Sequence, residues 1–84
     1  MPTDPRPDWV LARRQQIGHH IANLRAARGM TIDGLADASG LDRKTVMRAE
    51  HATHSVGLDV LLQLAHGLGL PLAALVRDEP GPSR

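Results

Sequence analysis

Residues 30–50 read MTIDGLADASGLDRKTVMRAE, two short helical patterns separated by a glycine. Thr31 is suited to cap the first of them, because its hydroxyl can accept a bond from an orphan amide one turn on. Leu35, Ala36 and Ser39 then share one face, and Gly40 stops the pattern after two turns. Gly34 inside this helix is expected to cost roughly 1 kcal/mol relative to Ala, so packing has to hold it. Asp42 caps the second pattern, which runs from Arg43 to Glu50. Val46 and Ala49, three apart, face inward, leaving Arg43, Lys44, Met47 and Arg48 on the outer face.

More helices flank this pair. Asp8 can cap a helix that begins at Trp9, with Ile17, Ile21 and Leu24 recurring at helical spacing. Gly29 ends it, and Arg25 and Arg28 stand in its last turns, where cations suit the helix dipole. The polar segment 51–57 lacks a strong period and reads as a loop. Leu58, Leu61, Leu62, Ala65 and Leu68 form the apolar stripe of a fourth helix that ends at Gly69. Pro71 opens a short fifth, with Leu72, Leu75 and Val76 facing inward. The expected fold is all-α, a compact five-helix bundle, with its domain at 9–76. Proline-rich residues 1–8 read as a flexible arm and 77–84 as a flexible tail.

Eighty-four residues make one small domain, and the core has no Phe or Tyr to draw on, with Trp9 the sole aromatic. An aliphatic core suits packed helices better than a small sheet. Cysteine is absent, so neither a disulfide nor a thiolate enters the chemistry. No apolar run reaches membrane-spanning length and no signal peptide is visible, which implies a cytoplasmic protein. The net charge is only +1. The basic residues are local instead: Arg43, Lys44 and Arg48 cluster on one short helix, the footprint expected of a limited contact with a polyanion. Two helices joined in this way can lay the second into the major groove of DNA.

The ordered set of residues carries a resemblance. Leu24-Arg25 lies near the end of the first helix, Thr31 comes four residues before Leu35-Ala36, and Gly40 marks the turn. Arg43-Lys44-Thr45-Val46 opens the third helix and Glu50 sits at its end; Leu58, Leu61-Leu62, Leu64-Ala65 and Leu68-Gly69 follow. From Ile17 to Val76 the chain resembles the helix-turn-helix domains of the phage repressor and Cro type, the lambda-repressor-like fold. The resemblance implies that the third helix reads base edges while the second braces it. Arg43, Lys44, Met47 and Arg48 would face the DNA beside Thr45, and Arg or Lys can bond guanine O6 and N7. Asp42 would accept from a cytosine amino group or only cap its helix. Thr31, His51 and Thr53 would bond phosphates, which position without reading sequence. Arg25 and Glu50 would form a structural ion pair between the first and third helices. The sequence departs from the family pattern at three places: Ile32 replaces the usual Gln, Gly34 replaces the Glu of a capping box, and Ala52 replaces the glycine after the third helix.

The remaining chemistry is sparse. His19 and His20 are adjacent and so splay apart on a helix, and His51 and His54 have no third ligand nearby in sequence. No metal or cofactor is expected. Nothing arranges a nucleophile with a base, so no enzyme is expected either. Trp9 either covers the core against the last two helices or belongs to an interface, where tryptophan is enriched. The expected function is a bacterial, sequence-specific transcription regulator, a homodimeric repressor on double-stranded DNA. The alternative is an antitoxin, a module that binds a protein partner such as a toxin and DNA only secondarily.

Overall fold

Among the described residues five helices follow one another: α1 (Asp8–Ala27), α2 (Ile32–Ser39), α3 (Arg43–His51), α4 (Leu58–Leu68) and α5 (Leu72–Val76). The computed structural model describes residues 6–77 and contains no strand among them. The flexible ends expected at 1–5 and 78–84 lie outside the described residues.

Three helix ends use one device. Gly29, Gly40 and Gly69 adopt φ of 67°, 71° and 70°. The residue after each sends its amide back into the helix: Met30 to Arg25 O (3.2 Å), Leu41 to Ala36 O (2.9 Å) and Leu70 to Ala65 O (2.9 Å). This closure satisfies carbonyls the helix leaves orphaned. At Gly40 a Cβ would meet nothing nearer than Gln63 Nε2 at 3.8 Å, so glycine is needed there for its left-handed backbone and not for space.

The start of α1 differs from the expectation. Asp8 is the first helical residue, and the cap is Pro7, whose carbonyl accepts from Val10 N (3.0 Å). Proline supplies no donor and its φ of −57° already suits the turn. Gly34 also differs. It lies in the first turn of α2, where its amide donates to Thr31 Oγ1 (2.9 Å), so it interrupts no helix interior.

Leu35, Val46, Leu64 and Leu75 are fully buried and Ile21 nearly so, one side chain from each helix. Close approach comes from small residues. A Cβ on Gly18 would lie 2.5 Å from Ala49 O and 2.6 Å from Glu50 O, so α3 rests directly on the α1 backbone. A Cβ on Gly67 would strike Ser39 Oγ, which fixes the α2–α4 crossing in the same way. The buried face of α4 is therefore Leu64, Ala65 and Leu68, with Leu61 packed beside it. The expected stripe is rotated: Leu58 and Leu62 are 61% and 47% exposed. With leucine on most sides of α4, several stripes were available from periodicity, and contact at Gly67 selected among them.

Trp9 is 72% exposed and covers no core. Of the residues expected to face inward from α5, Leu75 is buried, while Leu72 and Val76 are half-buried. Side chains of α1 tie down the later helices. Arg13 donates to Val76 O (3.0 Å) and Arg77 O (2.7 Å). His20 Nε2 donates to Ala74 O at 2.8 Å, which requires the proton on that nitrogen. Arg28, at the end of α1, also reaches α4: Nε donates to Leu68 O (2.6 Å), an orphan carbonyl at the end of that helix.

Candidate nucleic-acid interface

The outer face of α3 follows from which residues its inner face must bury. Val46, Ala49 and Glu50 are buried. That geometry leaves Arg43, Lys44 and Arg48 exposed and Met47 half-buried. Asp42, Arg43, Lys44, Met47, Arg48, His51, Thr53 and His54 line one open depression. Seven of these carry the sequence-based assignment, and the structure brings those seven together. Thr31 and Thr45 do not line the depression. Thr31 sits at the start of α2 with its hydroxyl engaged by Gly34 N.

Asp42 performs the capping half of its two expected roles. Its carboxylate accepts from Thr45 N at 2.8 Å. Hydrogen bonds from the side chain and backbone of Thr45, and then the nearby charges of Arg48 and Lys44, hold its carboxyl below the ordinary 3.8.

Arg43 has a partner that sequence reading missed. Its Nη1 lies 3.0 Å from Asp33 Oδ1, joining the outer ends of α2 and α3. Both side chains are more than half exposed, so the contact adds little stability. Ten residues separate the two, and no periodicity within one helix could pair them. His54 is the other residue missed. It joins the depression because the chain turns sharply at Ala52, the only described non-glycine residue with positive φ (56°).

Behind this face, Arg25 and Glu50 meet in a two-pronged pair. Arg25 Nε is 2.6 Å from Glu50 Oε2 and Nη2 is 3.1 Å from Oε1. The remaining Nη1 donates to Met30 O at 2.9 Å, so one guanidinium joins α1, the α1–α2 turn and α3. The Glu50 hydrogen bond, together with its charge, raises the already high pKa of Arg25 against the opposing effect of burial. Among the described residues, no three histidines or carboxylates converge on a point.

A family model described as a helix-turn-helix domain matches residues 16–77, most of the chain. The chain belongs to the helix-turn-helix domain family. Among solved structures, this member is 34% identical to the restriction-modification controller protein C.AhdI from Aeromonas hydrophila, with a TM-score of 0.74 over 76% of this chain and 97% of that one. It is 26% identical to the clp gene regulator ClgR from C. glutamicum, with a TM-score of 0.70 over 76% and 83% of the two chains. The hypothetical transcription factor NHTF from Neisseria, 24% identical, shares the fold with a TM-score of 0.72 over 90% and 85%. No curated protein sequence matches the chain. Family and fold are those of DNA-binding regulators of the phage repressor and Cro type. No described helix is long and apolar enough to cross a membrane.

Proposed function

We propose that this helix-turn-helix regulator lays α3 into the major groove as a homodimer and represses a promoter by occupying it, within the bacterial cytoplasm. The carrying observation is the division of α3 into a buried inner face and an exposed outer face bearing Arg43, Lys44 and Arg48. Arg43 and Arg48 read base edges, Met47 offers an apolar contact, and Thr31, Thr45, Lys44, His51 and Thr53 meet phosphates. Asp42 supports this arrangement by fixing the start of α3. The functional unit is residues 9–76. Two copies would address half-sites about one helical turn apart. The outward leucines Leu58 and Leu62, one turn apart on α4, offer an apolar strip to a second copy.

Selection from random duplex DNA with the purified chain tests this reading. Enrichment of a two-fold-related motif is the expected result. Arg43→Ala and Arg48→Ala should each lose about 1–3 kcal/mol of discrimination at one base position while keeping helicity. Lys44→Ala should weaken all sequences alike and reduce the salt slope. No enrichment with a folded protein would refute base reading and favour the antitoxin alternative.

A further inference from the structure

The three cations on the outer face of α3 are not equivalent. Among the described residues, Arg43 is the one of them bonded to a carboxylate, through Nη1 to Asp33 Oδ1 at 3.0 Å. Asp33 comes from the first turn of α2, so Arg43 is held from outside its own helix. A carboxylate beside a guanidinium offsets its charge and weakens it as a phosphate clamp. What the contact adds is orientation. With Nη1 engaged, the Nε–Nη2 edge keeps two parallel donors, the pair that bonds guanine O6 and N7. Arg25 divides its donors in the same way: Nη1 goes to Met30 O, while Nε and Nη2 grip the two oxygens of Glu50.

Met47 stands one turn after Arg43. It is half-buried and, among the described residues, the one apolar side chain lining the depression. Residues four apart share a helix face and lie about 6 Å apart along the axis, while base pairs stack about 3.4 Å apart. The two side chains therefore address base pairs no more than about two steps apart.

We propose that Asp33 is a specificity-determining residue that turns the remaining edge of Arg43 onto a guanine, and that Met47 takes the C5 methyl of a thymine within about two base pairs of it. The assignment deepens the proposed function and rests on it. Asp33 touches no base; it acts through Arg43 as a positioning residue. In the free protein both side chains are more than half exposed, and the contact is weak. In the groove water is displaced, the local dielectric falls and the same contact strengthens. Discrimination then comes at the expense of affinity, because the charge of Asp33 opposes the phosphates.

The test uses the full chain and an operator selected from random duplex DNA, with affinities read by fluorescence anisotropy at fixed salt. Each guanine of the half-site is replaced in turn by 7-deazaguanine, which pairs normally but lacks the N7 acceptor. Each thymine is replaced by uracil, which lacks only the methyl group. At one guanine the replacement should cost about fivefold or more, and that cost should vanish in Arg43→Ala. At one thymine within about two base pairs it should cost about fourfold, and that cost should vanish in Met47→Ala. Asp33→Ala should bring the 7-deazaguanine penalty to within about twofold of parity while overall affinity rises. Asp33→Asn keeps an acceptor for Nη1 and should retain most of the penalty. Each penalty is a ratio within one variant, so a general loss of stability does not move it. A 7-deazaguanine penalty unchanged in Asp33→Ala overturns the role of Asp33. Penalties that persist in Arg43→Ala or Met47→Ala, or a two-fold motif with no guanine and thymine that close, overturn the base assignment and leave the proposed function standing. Failure to select any operator overturns both.

Discussion

Replacing Arg25 with alanine strands the carboxylate of Glu50. The Glu50 side chain is 2% exposed and Arg25 18%, and the guanidinium makes two bonds to that carboxylate and one to Met30 O. Removing one partner of a buried pair costs about 3–5 kcal/mol, because the survivor keeps its desolvation penalty without its compensation. The partial exposure of Arg25 lets water into the vacated space, so the lower end applies, about 3 kcal/mol. For a domain whose whole stability is about 5–15 kcal/mol, this is a large fraction. It corresponds to a fall in melting temperature of roughly 12–24 °C. Urea denaturation followed by far-ultraviolet circular dichroism measures it, with an unchanged denaturant slope showing that the unfolded state is not the cause. Arg25→Lys keeps the charge but loses the fork, and falls between the two. The double variant Arg25→Met, Glu50→Leu removes both charges and recovers most of the loss. Stability of Arg25→Ala within about 0.5 kcal/mol of the parent, the range of an indifferent surface change, would refute the reasoning.

Other expectations follow from single contacts. Gly18→Ala inserts a methyl group 2.5 Å from Ala49 O and should destabilise by about 1–3 kcal/mol in the same denaturation assay. Ala52→Gly relieves a left-handed alanine (φ 56°) and should stabilise by up to about 1 kcal/mol after glycine's entropic cost; a lower denaturation midpoint would contradict the strain. Asp42 has its folded-state pKa depressed by its bonds to Thr45. Its contribution is therefore full above the ordinary 3.8 and disappears as pH falls through the lower folded-state value. Asp42→Asn retains a capping oxygen without titrating, so its stability should decline less as pH falls below 3.8; parallel curves in that range would exclude Asp42 as a source of acid sensitivity. Asp33→Ala frees Arg43 from an exposed contact, and should leave stability within about 0.5 kcal/mol while strengthening DNA binding and relaxing discrimination at the Arg43 base position; unchanged discrimination on comparing operator variants would remove Asp33 from the interface.

Sequence alone determined the helices, because their signals are local. Thr31 and Asp42 accept bonds from amides three residues on, and Gly29, Gly40 and Gly69 supply left-handed stops. Each depends on the residues of one turn, which spacing records directly. The outer face of α3 was legible for the same reason: burying Val46 and Ala49 leaves Arg43, Lys44, Met47 and Arg48 opposite. The family likeness added the Arg25–Glu50 correspondence, which no local pattern contains. Tertiary structure alone decided what depends on helices meeting. The inward face of α4 was set by Gly67 against Ser39, the seat of α3 by Gly18 under Ala49, and the contact of Arg43 by Asp33 on another helix. The bond from Arg28 to Leu68 O likewise joins two helix ends distant in sequence. Periodicity states which side chains share a face; which face is buried depends on where two backbones approach closely enough to exclude water, and that distance is set by residues far apart in the chain.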